Sequence, residues 1–419
     1  MSAENNYTVQ EFNIVPFTGN VNVDLSINSL ASFEYYEDIL SPTVTAKASF
    51  AIVDVKGLPQ GFEIYGGEKV NIAIDVSGST KKLYLNDDKS RLFVRSATVD
   101  KRSNLGMYTI EMVSREMITN ETARLVNRFD GKVSDSAKLI FAKLKSQKSL
   151  NVEDSVNKYS FIGNTKRPFD LLLWLCPKAV PTGTKGFGTA GYLFFETQDG
   201  YNFRSIDKLI TQASSFTYEK TEAVDPYSNK NKFRILSATV AKNNDILTSL
   251  RMGMYANKSL FYNLYTNEIN FTEYKLSTKY ASISKSASTS SYPKLPEGIE
   301  NSFSRLLTRT LDVGNLTDAG KIEGNENLPK YQSEAAVRYN LLFSQILNVV
   351  IPCNLDLRAG QVITCNIAES TAGSKNKTFE SQQSGNYMIA NLCHRFQGNQ
   401  GYTMLSLVRD SYELKTGYN

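Results

Sequence analysis

The stretch "GYLFFETQDGYNFRSIDKLI", Gly191 to Ile210, decides how this chain is read. It predicts two short strands joined by a Gln-Asp-Gly turn and followed by a helix. Asp199-Gly200 supplies the turn. Ser205 is a plausible helix N-cap, and Asp207 complements the dipole of a helix from about Ile206 to Ala213. Glu196, Asp199 and Asp207 sit among Tyr192, Tyr201 and Phe203. Acids among aromatics suit a sugar-cleaving site, which needs two carboxylates at a set separation across a cleft. Glu196 and Asp199 flank a turn, so a cleft between them is not expected. The simpler expectation is a packed hairpin with Glu196 exposed on one face.

Working outward, the N-terminal residues read as strands. "TVTAKASFAIVDV" (43–55) and "EKVNIAIDVSG" (68–78) alternate around β-branched residues, and "RLFVRSATVDKRSN" and "GMYTIEMVS" continue to Ser114. Gly57, Gly66-Gly67, Gly78, Asp87-Asp88 and Gly106 punctuate them. This spacing predicts a small barrel or sandwich over about residues 1–118. The period then becomes helical. Ala137, Ile140, Phe141 and Leu144 share a face, with Ser134 as N-cap. Phe169, Leu172, Leu173 and Cys176 share another, with Pro168 in the first turn. Leu171, Trp174 and Leu175 widen that surface, which predicts a deeply buried helix with Trp174 in the core.

Strands return in "NKFRILSATVAKNN" and "ANKSLFYNLYTNEINFTEYKL". Residues 280–300 are Ser-rich and residues 312–330 Gly/Asn-rich, and both read as long, mobile surface loops. "SEAAVRYNLLFSQ" reads as a short helix running into a strand whose Leu347, Val349 and Ile351 share a face. "AGQVITCNI", "GNYMIANLCHRFQ" and "GYTMLSLVRDSYEL" complete a second antiparallel set, with a flexible polar insert at 369–384.

Composition narrows the function classes. Lys and Arg number 47 against 42 Asp and Glu in 419 residues, with the signs interspersed, so no basic run marks a nucleic-acid or lipid surface. Cys176, Cys353, Cys365 and Cys393 form no CxxC pair, and His394 is the one histidine, which argues against zinc. Buried, reduced cysteines acting as small hydrophobes are expected. Cys393 and His394 are strand neighbours pointing to opposite faces, so they do not form a catalytic pair. "GTKGFGTAG" (183–191) is not a phosphate loop. The start "MSAENNYTVQEF" shows no secretory signal, and the longest apolar run is too short to span a bilayer. No catalytic, cofactor-binding or metal-binding residue is therefore assigned, and no cofactor is expected.

At this point a resemblance enters. "PFDLLLWLCPKAV" followed by "AGYLFFETQDGYNFRSIDKLI" resembles the central baseplate hub proteins of contractile-tailed phages, which carry an apolar helix, a loop, then a "GYLF-E-DGY-F-SID-L" hairpin and helix. "GFEIYGGEKVNIAIDV" is similar to a strand pair of that family's first β domain. "SREMITNETARLVNRFDGKVSDSAKLIFAKL" is similar to the segment entering its helical domain. The run "VVIPCNLDLRAGQVITCNI…SGNYMIANLCHRFQGNQGYTMLSLVRD" is similar to the second β domain of phage hubs and of the related spike proteins of contractile secretion systems. Tyr387, Ile389, His394, Tyr402, Leu405 and Arg409 occupy its recurrent pattern.

The resemblance implies a multi-domain, β-rich α+β fold with two antiparallel β-barrel, tube-like domains and a mixed α/β middle domain. The implied division is 1–118 for the first barrel, 119–215 for the middle domain, 216–250 with 330–415 for a discontinuous second barrel, and 251–329 for a β-rich insertion. It implies a non-enzymatic structural protein of the virion tail baseplate, assembled in the bacterial host cytoplasm. That protein is a homotrimeric ring joining the sixfold tail tube to a threefold central spike. The implied partners are the spike, tail tube or tube-initiator proteins, baseplate wedge proteins and the tape-measure protein. DNA passes through the channel without sequence recognition, and no membrane anchor is implied. The alternative is a tail-associated peptidoglycan hydrolase or carbohydrate-binding module, which a buried cleft holding Glu196 plus another acid, with exposed Tyr192 and Tyr201, would favour.

Overall fold

The computed structural model describes residues 6–16, 23–25, 30–53, 64–102, 105–183, 186–220, 232–286, 290–296, 298–314, 325, 327–368 and 382–413. Strands dominate these residues, helices are few and short, and the sheets are largely antiparallel.

The two β sets at either end of the sequence share one 14-stranded sheet. The N-terminal part runs through Tyr7–Val15, Lys69–Val76, Leu92–Arg102, Leu105–Ser114, Thr45–Val53 and Leu30–Asp38. Leu30–Asp38 then pairs with the late strand Gly385–Gln397, with Tyr36 opposite Cys393 and Tyr35 opposite His394. Gln400–Arg409, Gln345–Pro352 and Ser237–Lys242 follow outward from there.

Each part builds its own core. The N-terminal core holds Phe12, Phe33, Phe50, Ile72, Leu92 and Ile110, yet it also takes Phe396, Cys353 and Leu355 from the late strands and their connection. Phe396 stacks on Phe33 at 6.1 Å and meets the Tyr7 ring at 5.0 Å. The other core gathers Tyr218, Leu347, Val349, Ile351, Tyr387, Leu392 and Leu405, so the shared face of Leu347, Val349 and Ile351 points inward as the alternation predicts.

Between them lies the middle segment. Its core packs Val133, Ile140, Phe169, Leu172 and Leu175 against Tyr192, Phe194, Tyr201 and Phe203 of the hairpin. Leu193 and Phe195, on the opposite face of the same strand, pack with Ile39, Leu342, Met388 and Val408. Strand Tyr192–Thr197 is therefore buried on both faces throughout. The helix Leu328–Leu342 separates this region from a three-stranded sheet of Ala256–Asn263, Glu268–Lys275 and Arg305–Thr310.

Local details depart from expectation in places. Helix Val133–Ala142 starts one residue before Ser134, which is buried inside it, and Lys132 holds the N-cap position without a side-chain bond. Helix Pro168–Leu175 has Pro168 in its first turn, but Leu173 is exposed because only the opposite faces meet neighbours. Helix Ile206–Ile210 is shorter than its apolar pattern, and Ser205 accepts the Lys208 N–H at 3.0 Å as N-cap. Helix Leu328–Leu342 begins earlier than the apolar period indicates, since Pro329 suits a first turn. In the 280–300 stretch, Ser290–Ser291 pairs with Tyr412–Glu413 and Tyr292 is buried, so this part is packed rather than loose. Residues 287–289, 297, 315–324, 326 and 369–381 of the expected loops lie outside the described residues.

Phe396 belongs to the late strands but fills the N-terminal core. Phe396→Ala is expected to lose about 3–5 kcal/mol of stability. Urea unfolding followed by tyrosine fluorescence and by far-UV circular dichroism should report that loss with both probes.

Candidate functional site

The hairpin holds the best-defined polar constellation of the chain. Its strands are Tyr192–Thr197 and Gly200–Ser205, with Thr197 opposite Gly200. Gly200 has φ +128°, and a Cβ there would lie 2.6 Å from Ser149 Oγ and 2.7 Å from Ser149 O. Only glycine fits that turn against the neighbouring strand Leu150–Val152.

Glu196 is 1% exposed, not a solvated face residue. Its carboxylate forms a close ion pair with Lys148, whose ammonium also lies 3.4 Å from Glu116. It accepts the Val44 N–H at 2.9 Å and the Thr43 hydroxyl at 3.1 Å, which ties the hairpin to the N-terminal sheet. Burial alone would push the Lys148 ammonium down. The carboxylates of Glu196 and Glu116 outweigh burial and hold it above its ordinary range. This is the arrangement of a buried structural ion pair.

The tip makes a second junction. Glu37, fully buried on strand Leu30–Asp38, accepts the Gln198 N–H at 2.7 Å, the Ala359 N–H at 2.9 Å and the Tyr35 hydroxyl at 3.1 Å. One carboxylate thus joins the N-terminal strands, the hairpin tip and the 353–361 connection. Burial raises its pKa, against the pull of Arg358 and of the two backbone donors. Asp199 lies 2.8 Å from Lys81 and 3.3 Å from Arg358. Burial would raise its pKa, but Arg358 and then Lys81 hold it below its ordinary range. Arg358 is itself fixed by donating to Leu355 O and Leu357 O at 2.7 Å. Asp356 accepts from Thr80 N–H, Thr80 Oγ1 and Lys81 N–H at 3.1, 2.7 and 2.7 Å.

The third acid points the other way. Asp207 receives Arg338 Nε at 2.9 Å and the Thr189 N–H at 3.0 Å. Arg338, fully buried in helix Leu328–Leu342, also donates to Asp410 at 2.8 Å and to Ser284 O at 2.9 Å. The three acids noted in the sequence are therefore three separate ties, and each engages a different part of the chain.

Glu196 is buried with a second acid, Glu116, on the same ammonium, but the exposed tyrosines that would favour a carbohydrate site are not found at the hairpin. Tyr192 and Tyr201 are buried, so neither offers a stacking platform, and Glu196 is filled by Lys148. His394 is buried, shares a hydrogen bond of 2.9 Å with Thr403 Oγ1 and stacks on Tyr35 at 6.2 Å. Burial, helped by Arg358, pushes its pKa down to about 3, so the ring stays neutral and serves as a strand residue. The four cysteines are buried and form no disulfide. Trp174 is half-buried, and Lys178 Nζ lies 3.6 Å from its ring centroid. Tyr387, Ile389, Leu405 and Arg409 are buried in adjacent strands, with Arg409 4.8 Å over the Tyr387 ring. Among the described residues no group of three or more His, Cys, Asp or Glu could hold a metal ion. Among the same residues no helix is long and apolar enough to cross a membrane.

No protein-family model matches the sequence, and no curated protein matches it. Solved structures do. The tail protein from Neisseria meningitidis MC58 is 10% identical, with 97% of each chain covered and a TM-score of 0.55. The 43 kDa tail protein of prophage MuSo2 from Shewanella oneidensis is 8% identical, covering 96% of this chain and 98% of that one, with a TM-score of 0.56. The chain has a tail-protein fold. In this tail-protein fold the hairpin acids serve to hold parts of the chain together. Their partners Glu37, Lys148, Arg338, Arg358 and Asp410 carry as much of the junction as the acids themselves. Arg338 was findable, because a charge between Val337 and Leu341 interrupts an apolar helix face. Glu37 lies near the end of an ordinary alternating strand and gives no such signal.

Two outcomes check this junction. Glu196→Ala leaves the Lys148 ammonium buried beside Glu116 alone, and is expected to cost about 3–5 kcal/mol in urea unfolding. The triple variant Glu196→Leu, Lys148→Met and Glu116→Gln, which leaves no unpaired buried charge, should recover much of that loss. Asp199 and Asp356 both have depressed folded-state pKa values, the latter through Thr80 and backbone donors that outweigh burial. The unfolded chain therefore takes up their protons first as pH falls. Their contribution is complete above the ordinary carboxylate range near about pH 4 and is lost as pH drops through the folded values. Asp199→Asn with Asp356→Asn should flatten the acid limb of a urea-midpoint against pH curve, whereas Glu37, shifted upward, works in the opposite sense.

Proposed function

We propose that this chain is a structural hub of a phage contractile-tail baseplate. The carrying observation is the end-to-end likeness to two tail proteins, which spans nearly the whole of each chain. In this reading the chain forms a homotrimeric ring that joins a sixfold tail tube to a threefold spike and leaves a channel through which DNA passes.

The sheet supplies a physical rationale. Two β sets, each with its own core, lie edge to edge in one sheet. Three copies would present six such units to a sixfold tube, and head-to-tail contacts would close the ring. The first set corresponds to 1–118 and the second to 216–250 with 330–415. The middle segment, 119–215 with 251–329, would brace them. The angle between the sets then becomes the quantity that matters, and Glu37, Asp199 and Arg358 sit where it is set. The spike and the tube, or its initiator, are the axial partners, with the tape-measure protein above and wedge proteins at the periphery. No residue is assigned to catalysis.

Native mass spectrometry and single-particle imaging of the purified protein test the proposal. Three copies around a pore are expected, with two superposable β units per copy. A particle that stays monomeric and poreless in the presence of tube and spike, or two β sets without common topology, would overturn it.

A further inference from the structure

The indole of Trp174, the single tryptophan of the chain, stands in the wall of a cavity of about 430 Å³. That size falls within the range of small-ligand sites. Phe161 and Ile162 are apolar members of the same wall, and Asn164, Lys166 and Asp312 are polar ones. Trp174 is half-buried while Ile162, Asn164 and Lys166 are exposed, so among the described residues the cavity opens to solvent. One face of the indole is already taken. Lys178 Nζ, on a buried residue, lies 3.6 Å from the ring centroid and donates to Trp174 O at 2.7 Å. Lys178 is no part of the cavity wall, so the cavity meets the rest of the ring.

The turn that carries Asn164 and Lys166 is strained and pinned. Asn164 and Thr165 have φ of +49° and +56°, and the Lys166 N–H closes the turn on Gly163 O at 3.0 Å. Thr165 is β-branched, and such residues avoid the left-handed region. Gly163 has no room for a side chain, since a Cβ there would lie 2.6 Å from Leu125 O. The Leu125 N–H donates to Lys166 O at 3.0 Å and the Gly163 N–H to Asn127 O at 2.9 Å, which fixes the turn to the segment beside it. Backbone strain of this kind concentrates at functional sites. The side-chain amide of Asn164 and the ammonium of Lys166 form no hydrogen bond or ion pair among the described residues, and Lys166 Nζ rests over the indole at 5.2 Å.

The wall carries one charge of each sign. Asp312 accepts from the Tyr159 hydroxyl at 2.6 Å and from the Gly314 N–H at 3.2 Å, and its carboxylate keeps further acceptor capacity. Lys166 supplies donors, and Asn164 supplies both donors and an acceptor. Burial pushes the pKa of Lys178 down to about 7, against the pull of Asp312, so this neighbour adds only a partial charge. An anion would meet Asp312, and a cation would meet the two lysines. A neutral ligand rich in hydroxyls finds donors and acceptors alike, and its C–H groups find the indole. We propose that this cavity binds an uncharged saccharide, with a sugar ring against Trp174 and its hydroxyls held by Asn164, Lys166 and Asp312. The site stands whether or not the chain builds a ring.

Trp174 is its own reporter. The full chain is titrated with neutral oligosaccharides of glucose, galactose, mannose and N-acetylglucosamine, one at a time, and with glycine as a small zwitterion. Tryptophan emission is followed for the unaltered chain and for Asn164→Ala and Lys166→Ala, both at exposed positions, with circular dichroism confirming that each variant keeps its fold. At least one saccharide should shift the emission saturably and lose roughly tenfold in affinity with each variant, while glycine leaves the emission unchanged. No saturable shift with any saccharide overturns the proposal. A shift that either variant leaves unaltered overturns this site, and saturation by glycine alone overturns the saccharide. Native mass spectrometry of the same preparation judges the hub separately: a trimer without sugar binding sinks only this proposal, and sugar binding by a chain that never assembles sinks only the hub.

Discussion

Strand Tyr192–Thr197 has no face left for water, and the rest of the molecule is arranged around that constraint. Tyr192 and Phe194 belong to the core of the middle segment, and Leu193 and Phe195 to the layer beneath the long sheet. A strand buried on both sides must satisfy its polar ends within the protein. Glu196 does so through Lys148 and the backbone of Val44, and the turn through Glu37. Because each partner sits on a different part of the chain, satisfying one hairpin also fixes where the terminal strands lie relative to each other.

Buried charges of this kind contribute more to geometry than to stability. The desolvation of Lys148, Glu196 and Glu116 offsets much of their mutual attraction, and apolar residues of similar volume would hold the same space at comparable free energy. What they supply is direction. Arg338 reaches Asp207, Asp410 and Ser284 O at once, which only one placement of its helix allows. Glu37 likewise accepts from two backbone segments that no apolar contact would hold in register.

Much of this architecture was legible in the residues. Period-two alternation located the strands, and Ser205 and Pro168 marked helix starts where the chain uses them. The burial of Glu196 has one sign in the sequence: Tyr192, Leu193, Phe194 and Phe195 give an unbroken apolar run rather than alternation, which is how a strand covered on both faces is written. The exposed Leu173 and the buried Ser134 depart from the helical period for a common reason: periodicity gives a helix its stripe, while its neighbours decide how wide that stripe is. The pairing of Leu30–Asp38 with Gly385–Gln397 has no local signal, since register between distant strands depends on what else is packed around them.

That pairing has a further consequence, for biosynthesis. Strand Leu30–Asp38 leaves the ribosome early, but its partner and the ring of Phe396 are translated on the order of tens of seconds later. Until then the early strands have an open edge and an incomplete interior, the condition under which nascent β-chains associate wrongly. A sheet closed by a late strand also cannot display a finished surface to other proteins before its own translation is nearly done, so the chain itself sets the order of folding and recruitment.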